Sequence, residues 1–312
     1  MTLWWIIFGV FIFAMLALDL GVFNRKAHVI KMKEALLWTF FWVALALLFC
    51  VGIYFFYDHS KAMEFSAAYL IEYSLSIDNL FVFMLIFRFF NVPLAYEHKA
   101  LFWGILLALI TRAVFIFAGV ALINTFSWII YIFGVFLIFT GIKMAMNKQT
   151  EIHPDRNIAI KLLRFFIPVT KQFYEAKFFV VKRGIRFATP MLAVLLALET
   201  TDILFAIDSI PAVLAISKDP FIVYTSNVFA ILGLRSLFFA ISGLMKLFHL
   251  LHYGLAAILS FVGVKMLIED FFHVPVAASL IVIASILVVS VVASIIWPDK
   301  EEDGIPPVTM KE

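Results

Sequence analysis

Residues 76–81 read Ser-Ile-Asp-Asn-Leu-Phe, and residues 200–205 read Thr-Thr-Asp-Ile-Leu-Phe. An arginine follows each aspartate at almost the same distance: Arg112 comes 34 residues after the first aspartate, and Arg235 comes 33 residues after the second. The tripeptides directly after the two arginines, Ala-Val-Phe and Ser-Leu-Phe, both end in phenylalanine. Two motifs that recur in the same order and at nearly the same spacing predict an internal repeat.

A third motif extends the repeat. Phe-Thr-Gly-Ile-Lys-Met at 139–144 corresponds to Phe-Val-Gly-Val-Lys-Met at 261–266. Each copy then covers three apolar runs, and because three is an odd number, the second copy must enter a membrane from the opposite side. Inverted repeats of this kind are typical of secondary transporters, whose substrate site lies near the middle of the bilayer between the repeats. A duplication retained only for packing is the alternative interpretation.

The composition excludes a soluble fold. Of the 312 residues, 64% are apolar and 14% are charged, whereas globular proteins are roughly half apolar and a quarter charged. Several apolar runs are long enough to cross the hydrocarbon of a bilayer. The net charge of +3 is too small to suggest nucleic acid as a partner. The single cysteine, Cys50, excludes an internal disulfide framework and a cysteine-rich metal site.

The apolar runs predict an all-α polytopic membrane protein with about nine transmembrane helices. These helices are expected at 3–23, 35–57, 67–90, 99–122, 128–146, 188–210, 222–246, 254–272 and 275–297. The first run has no basic segment before it and is too long for the apolar part of a signal peptide, so we expect it to stay attached. The predicted organisation is two N-terminal helices in 1–66, repeat 1 in 67–146, a basic loop at 147–187, repeat 2 in 188–272, a last helix in 273–297 and a tail at 298–312.

The distribution of Lys and Arg predicts the orientation, because cytoplasmic loops carry an excess of both residues. Eighteen of the 24 basic residues lie on one side of a nine-helix arrangement, two lie on the other side, and four lie within helices. This asymmetry places the N-terminus outside and the C-terminus in the cytoplasm. The loop at 147–187 then lies in the cytoplasm. Its end, 178–187, alternates around Gly184 like a short hairpin.

The basic loop at 147–187 has two interpretations. It holds nine basic and three acidic residues, so it could contact anionic lipid headgroups and hold the topology. A regulatory or docking element is the other interpretation.

Six carboxylates lie within the predicted helices. An ionised side chain at the centre of a bilayer costs at least about 2.5 to 3.5 kcal/mol, so such residues face the interior of the bundle and are usually functional. Six of them exceed what packing requires. They are Asp19, Glu72, Asp78, Glu199, Asp202 and Asp208.

The spacing of the acids in the sixth predicted helix suggests how they are grouped. Glu199 and Asp202 are three residues apart and share a helix face, whereas Asp202 and Asp208 would diverge by about 120° on an ideal helix. Pro211 lacks a backbone N–H and clashes with the preceding turn, so we expect residues 208–211 to kink or unwind. A backbone carbonyl released there would be an additional oxygen ligand.

The available ligand atoms are oxygens. Asp78 and Asn79 supply a carboxylate and an amide oxygen in the middle of a helix, and all seven histidines fall in loops or at helix ends. Oxygen ligands suit Mn²⁺, Ca²⁺ or Mg²⁺, whereas zinc and copper sites usually recruit imidazole or thiolate. The alternative is a set of buried ion pairs in which Arg112 and Arg235 each neutralise an aspartate. Lys143 is expected near the cytoplasmic end of its helix, with its ammonium reaching the interface.

Several stretches resemble the TerC family of integral membrane proteins. They are Leu-Asp-Leu-Gly-Val-Phe at 18–23, Glu-Tyr-Ser-Leu-Ser-Ile-Asp-Asn at 72–79, Phe-Ala-Ile-Asp-Ser-Ile-Pro-Ala at 205–212, Thr-Ser-Asn-Val-Phe-Ala-Ile-Leu-Gly-Leu-Arg at 225–235 and Gly-Val-Lys-Met at 263–266. The resemblance runs from the first helix to about residue 297. It implies a fold related to LysE-type transporters and Mn²⁺ efflux through the inner membrane of a bacterium.

The resemblance also implies which residues form the metal path. Carried over to this sequence, the path consists of Glu72, Asp78, Asn79, Glu199, Asp202 and Asp208. The supporting residues are Asp19, Ser209, Arg112 and Arg235.

The expected function is therefore alternating-access efflux of a divalent cation, Mn²⁺ in the first place and Ca²⁺ or Mg²⁺ as alternatives. Protons are a suitable counter-ion, because a carboxylate that releases a metal can take up a proton. The metal is the cargo and no cofactor is expected. The expected partners are the cation, the lipid bilayer and, as a further candidate, the secretion machinery or another membrane protein.

Two other classes of function compete with transport. A membrane interaction protein that metalates or escorts secreted proteins is the main alternative. An intramembrane aspartyl protease lacks support because the Gly-x-Gly-Asp context is absent, so we do not expect an enzyme. The sequence also has no Gly-rich phosphate-binding motif with its lysine, which argues against an ATP-driven pump.

Overall fold

The protein is an all-α polytopic membrane protein. Its computed structural model describes residues 2–18, 32–146, 158–170, 172–182, 184–241 and 250–297. Within these residues, eight helices are long and apolar enough to cross a membrane, and a shorter apolar helix precedes them. The predicted fold class is confirmed. The predicted tail at 298–312 and the end of the first predicted helix, 19–23, lie outside the described residues.

Ten helices and one two-stranded sheet are described. The helices are α1 (Thr2–Leu18), α2 (Met32–Phe56), α3 (His59–Phe89), α4 (Leu94–Thr125), α5 (Ile129–Met146), α6 (Ile158–Phe166), α7 (Pro190–Leu214), α8 (Pro220–Ile241), α9 (Leu251–Ile268) and α10 (Val276–Ile296). The strands are β1 (Phe179–Lys182) and β2 (Ile185–Ala188).

Helix α3 begins eight residues before the predicted start at residue 67. Its first turns carry Ser60, Lys61 and Glu64, which hydropathy does not recognise as part of a membrane helix. The side chain of Asp58 accepts hydrogen bonds from the backbone N–H groups of Ser60 (2.6 Å) and Lys61 (3.2 Å). This N-cap satisfies two donors that the helix itself leaves unpaired, so α3 extends beyond its apolar part.

The third motif pair brings α5 and α9 together in opposite directions. A Cβ atom at Gly134 would lie 3.0 Å from the carbonyl oxygen of Gly263, and one at Gly141 would lie 2.7 Å from the carbonyl oxygen of Ala256. Residue numbers therefore rise along α5 as they fall along α9. The glycines allow the two backbones to approach closely. An antiparallel pair of equivalent helices is the arrangement that an inverted repeat requires.

The other helices of the two repeats interlock in a matching way. Helix α3 packs against α8 as α4 packs against α7, and α3 and α4 also pack against their equivalents α7 and α8. Helices α3 and α8 run in the same general direction, because residue numbers rise along both from the ring contact of Phe65 with Phe229 (6.1 Å between centroids) to that of Phe87 with Phe238 (5.4 Å). The centre of the molecule is therefore the junction of α3, α4, α7 and α8.

Replacing Gly141 by Ala should lower the thermal stability of the purified protein. The added Cβ would overlap the carbonyl oxygen of Ala256, and a backbone atom can yield only if α5 and α9 separate. Overpacking of this kind costs about 1 to 3 kcal/mol. Gly52→Ala on α2 is the matched control, because a Cβ there meets nothing within 4 Å. Equal melting temperatures for the two variants would contradict the close approach of α5 and α9.

The abundant phenylalanines have a structural role where α1 and α2 meet α8. Phe49 of α2 lies against Phe229 of α8 at 4.9 Å between ring centroids and against Phe8 of α1 at 5.6 Å. Phe221 of α8 joins the same cluster, 6.0 Å from Phe8. This aromatic cluster holds the two N-terminal helices on the outside of the repeats.

The loop between the repeats contains two elements. The predicted hairpin is present as the antiparallel pair β1 and β2, and Gly184 adopts a φ of 78°, a conformation that favours glycine. The short helix α6 was not predicted. Its Ile160 is buried while Phe165 and Phe166 are exposed, and nine residues with two basic side chains are too few for a membrane-span signal. Residues 147–157, 171 and 183 of this loop lie outside the described residues.

Helix α7 continues without a break through Pro211 to Leu214. Of the two expected outcomes for residues 208–211, a kink or unwinding, unwinding is therefore wrong. Pro211 removes only one intrahelical hydrogen bond, the one that would reach the carbonyl of Ile207. The turn beyond it is held by packing, since Ala212, Val213 and Leu214 are buried.

Candidate functional site

Arg112 lies at the junction of the two repeats and is fully buried. Its Nη2 donates to Asp202 Oδ1 at 3.0 Å and its Nε donates to Asp202 Oδ2 at 3.3 Å, so the guanidinium holds this carboxylate with two hydrogen bonds. Its Nη1 donates to Glu72 Oε1 and, at 3.3 Å, to Ser209 Oγ. One arginine on α4 therefore joins α3 of the first repeat to α7 of the second.

The charges in this cluster do not balance. The cluster has two carboxylates, Glu72 and Asp202, for the one guanidinium of Arg112, and Arg235 and Glu199, which line the space beside Asp202, add one charge of each sign when ionised. The side chains of Arg112, Glu72 and Asp202 are at least nine-tenths buried, where an uncompensated charge is costly. The cluster is therefore an environment in which an additional positive charge would be stabilised.

A small cavity adjoins this cluster. Its polar lining comes from Glu199 and Asp202 of α7 and Arg235 of α8. Gly104 of α4 faces the same space, since a Cβ there would lie 3.7 Å from Glu199 Oε1. The remaining lining residues are Leu80, Phe83, Leu101, Ile105, Ala108, Leu198, Ile231 and Leu234. The cavity thus connects the cluster to Glu199 among the four central helices.

The structure brings some of the predicted site residues together and separates others. Glu72, Asp202, Ser209 and Arg112 share one set of hydrogen bonds, while Glu199 and Arg235 line the cavity beside Asp202. Asp208 faces away from this cluster, towards Thr140 and Lys143 of α5. Because α7 is a continuous helix, Asp202 and Asp208 point in different directions, as a separation of six residues dictates.

On α3, the remaining predicted ligands lie beyond Glu72. Asn79 is seven residues further, on the same helix face, and is buried, while its neighbour Asp78 is half-buried. Asp19 lies outside the described residues. Among the described residues, no three His, Cys, Asp or Glu side chains are close enough together to hold a metal ion between them. The predicted ligands are thus distributed along the bundle and do not form one cage in this conformation.

Two buried polar side chains, one on α3 and one on α8, were not selected from the sequence. Ser76 and Asn227 are 0% and 1% exposed, and neither Ser76 Oγ nor the amide atoms of Asn227 make a hydrogen bond with another described residue. Oε2 of Glu72 is in the same situation. Burial without a partner costs about 1 to 3 kcal/mol for such a group. Both residues belong to the motifs quoted above, but a polar side chain without charge gives a weak signal in sequence.

A second polar network lies where α3 begins and α7 ends. Glu64 binds Lys61 at 2.8 Å and accepts a hydrogen bond from Ser217. The buried Lys265 of α9 reaches the carbonyl oxygen of Ala215 at 3.5 Å. This network ties the start of α3 to the ends of α7 and α9.

The segment between α2 and α3 extends the same network. Tyr57 donates a hydrogen bond to Asp219 Oδ2 at 3.1 Å, and Asp219 Oδ1 accepts one from the backbone N–H of Phe221 at 2.9 Å. Burial and the neighbouring Asp219 carboxylate raise the pKa of Tyr57 to about 12. Its phenol therefore stays protonated and remains a donor at neutral pH.

The family follows from comparison with known proteins. A family model described as "Integral membrane protein TerC family" matches residues 57–302. The chain belongs to the TerC family. The match begins just before α3 and includes every described helix of both repeats, so the Arg112 cluster and the cavity lie within the family's own part of this TerC protein.

Related proteins cover nearly the whole chain. The "Uncharacterized membrane protein STKORF319" of Myxococcus xanthus is 52% identical over 292 residues, which are 94% of this chain and 92% of that protein. The "Putative membrane-bound redox modulator Alx" of Escherichia coli K12 is 43% identical over 305 residues, 95% of each chain. The protein of the same name from Salmonella typhi is also 43% identical, over 95% of this chain and 94% of its own length. No solved structure matches.

Proposed function

We propose that this TerC family protein transports a divalent cation, above all Mn²⁺, out of the cytoplasm by alternating access. The observation that carries the proposal is the buried cluster of Arg112, Glu72 and Asp202 at the junction of the two repeats. A bundle that served only as a scaffold would gain nothing from an excess of buried negative charge. In membrane proteins such groups mark ion and proton pathways.

The donor atoms of the cluster favour a hard cation. Glu72 and Asp202 offer carboxylate oxygens and Ser209 offers a hydroxyl oxygen. Sites built from such oxygens bind Mn²⁺, Mg²⁺ or Ca²⁺. In this conformation Arg112 occupies the carboxylates, so a cation must compete with the guanidinium for them. Exchange of Arg112 for the metal is then the step that couples ion binding to a change of conformation.

The orientation inferred from the distribution of Lys and Arg gives the proposed ion path through the bundle a direction. Glu199, Asp202 and the cavity belong to the first half of α7, which enters from the side rich in basic residues, the proposed cytoplasmic side. Asp208 lies in the second half, nearer the proposed outer face. The proposed path runs from Glu199 and the cavity to the Arg112 cluster and then past Asp208.

A variant at Asp208 distinguishes the transport proposal from the interpretation in which the buried acids only form structural ion pairs. Its carboxylate faces the hydroxyl of Thr140 and the ammonium of Lys143, outside the Arg112 cluster. We expect Asp208→Asn to reduce Mn²⁺ uptake by proteoliposomes at least about tenfold, because removal of one charge from a desolvated ion path costs on the order of 2 kcal/mol.

The measurement uses purified protein alone, with Mn²⁺, Ca²⁺ and Mg²⁺ offered in parallel and with an imposed pH gradient in a second series. Asp270→Asn, an exposed carboxylate at the end of α9, is the control and should retain wild-type flux. Wild-type flux through the Asp208 variant would show that the path is misplaced. Mn²⁺ flux that ignores the pH gradient would rule out proton exchange. If the wild-type protein moved no ion, a partner-dependent role in metalation or escort of secreted proteins would be favoured.

The relatives described as redox modulators raise the question of thiol chemistry. A disulfide within one chain requires two cysteines, and the 312 residues contain only Cys50. Its Sγ lies 3.1 Å from Ser66 Oγ and 3.4 Å from the carbonyl oxygen of Ala62. We therefore assign no redox step to the chain.

A further inference from the structure

The short helix α6 has two faces that differ in exposure. On one side, Ile160 is buried and belongs to the same apolar core as Met191 of α7, the helix that α6 packs against. On the other side, Leu162, Phe165 and Phe166 are 56%, 82% and 71% exposed. Residues three and four apart lie next to each other on a helix, so these three side chains form one apolar face. We call Leu162, Phe165 and Phe166 the α6 face.

The loop that contains α6 lies at the level where α4 leaves the hydrocarbon of the bilayer. Phe178, directly before the hairpin, packs edge-on against Trp103 of α4 at 6.2 Å between ring centroids, and the ammonium of Lys99 lies 5.5 Å from the centre of the same phenylalanine ring. Helix α4 has 32 residues, whereas about 20 cross the hydrocarbon, so about its first 12 extend beyond it. Tryptophan is enriched at this boundary, and a lysine one turn further reaches the headgroups.

Backbone hydrogen bonds connect the end of α6 to the same level. The N–H of Ala188 in β2 donates to the carbonyl of Pro168 at 3.0 Å, and the N–H of Thr170 donates to the carbonyl of Ala188 at 2.9 Å. The N–H of Thr189, directly before α7, donates to the carbonyl of Phe178 at 3.0 Å. Helix α6, the hairpin and the start of α7 are therefore joined beside the boundary that Trp103 marks.

Basic side chains accompany the α6 face. Lys161 is exposed on α6 itself, and the guanidinium of Arg186 in β2 lies 4.2 Å from the ring centre of Phe179. The loop at 147–187 holds nine basic and three acidic residues. Apolar side chains with basic neighbours fit an anionic lipid, because the phenylalanines enter the acyl chains while the cations meet the phosphate groups.

We propose that α6 is an interfacial helix that binds anionic lipid in the leaflet on the basic side of the protein. The α6 face lies among the acyl chains just below the headgroups, and Lys161 and Arg186 pair with headgroup phosphates. Nine residues are too few for a helix that is stable alone in water, so α7 supports one side of α6 and lipid supports the other. The inference does not depend on the proposed transport function.

The single cysteine allows a direct test. In a Cys50→Ser background, Phe165→Cys or Leu162→Cys provides one thiol for an NBD fluorophore on the α6 face. The labelled full-length protein is placed in nanodiscs of phosphatidylcholine, with or without phosphatidylglycerol. Nitroxide groups on the acyl chains quench a fluorophore within the bilayer, whereas iodide quenches one in water. With phosphatidylglycerol, both labels should be quenched by the nitroxide lipid and protected from iodide.

Gln172→Cys is the matched control, because Gln172 is exposed in the same loop but polar. Its label should be quenched by iodide. Adding Phe166→Ser to the Phe165→Cys protein should lower the ratio of lipid-bound to free α6 about tenfold or more, since one large apolar side chain no longer enters the bilayer. Lys161→Gln should lower this ratio about fivefold, and only when phosphatidylglycerol is present.

Three results would overturn the proposal. Iodide quenching of both labels on the α6 face would show that this face lies in water. Protection from both quenchers would show that another part of the chain or a second copy covers it. Equal nitroxide quenching with and without phosphatidylglycerol would show that α6 does not select anionic lipid. The flux measurements on the Asp208 variant are unaffected by any of these results, so the two proposals are tested separately.

Discussion

Replacing Asp202 by Asn is expected to abolish Mn²⁺ transport while the protein still reaches the membrane. The substitution keeps the volume of the side chain and one hydrogen-bond acceptor for Arg112, but it removes the charge that makes the cluster negative. Arg112 and Glu72 would then form a neutral pair with no electrostatic preference for a cation. Truncating one partner of a buried charge pair costs about 2 to 5 kcal/mol, so uptake by proteoliposomes should fall about 30-fold or more.

Glu175→Gln is a suitable control for this loss, because Glu175 is an exposed carboxylate that pairs with Lys177 at 3.0 Å in the loop between the repeats. Its flux should equal that of the wild type. Transport at the wild-type rate by Asp202→Asn would show that the Arg112 cluster is a structural ion pair and that the ion takes another route.

Replacing Arg112 by Gln is expected to have the largest effect on stability. The guanidinium holds Asp202 with two hydrogen bonds and Glu72 with a third. Breaking a buried pair by removal of one partner costs about 3 to 5 kcal/mol, because the remaining charge has no compensation. Chemical unfolding in detergent should therefore show a large loss in the free energy of unfolding.

A double-mutant cycle with Asp202→Asn tests the cause of that loss. In the Arg112→Gln background the carboxylates of Glu72 and Asp202 have lost the guanidinium that compensated them. Asp202→Asn removes one of these two uncompensated charges, so the double variant should be more stable than Arg112→Gln alone. Mn²⁺ should also stabilise Arg112→Gln more than the wild type, since the carboxylates no longer have to release the guanidinium. Strictly additive effects would contradict a direct pairing of Arg112 with Asp202.

The repeat is the part of the fold that the sequence predicted best. The matching lysine motifs on α5 and α9 can be recognised from a few consecutive residues. Their glycines lie at the close antiparallel contact that the structure shows. The hairpin around Gly184 was also predicted and is confirmed. Helix α6 was missed because a short helix with basic residues resembles a loop in a hydropathy profile, and the polar first turns of α3 were missed for the same reason.

The candidate site was predicted less completely. The alternative in which an arginine neutralises an aspartate is realised for Arg112 and Asp202, but the sequence could not show that Glu72 joins them from another helix. The expected unwinding at Pro211 is wrong, since packing of the last turn of α7 outweighs the loss of one hydrogen bond. Asn227 carries no charge, so nothing in its local sequence raised it above the other polar residues of α8.

The amino-acid sequence by itself determined that this protein lies in a membrane, that it contains an inverted repeat and that carboxylates and an arginine lie in its interior. These properties depend on local apolar periodicity and on the cost of charge in hydrocarbon, both of which can be read along the chain. Only the tertiary structure decided which charges meet. Arg112 and Asp202 are separated by 90 residues, and their pairing depends on the level at which α3, α4, α7 and α8 cross, which is set by the packing of side chains between the helices.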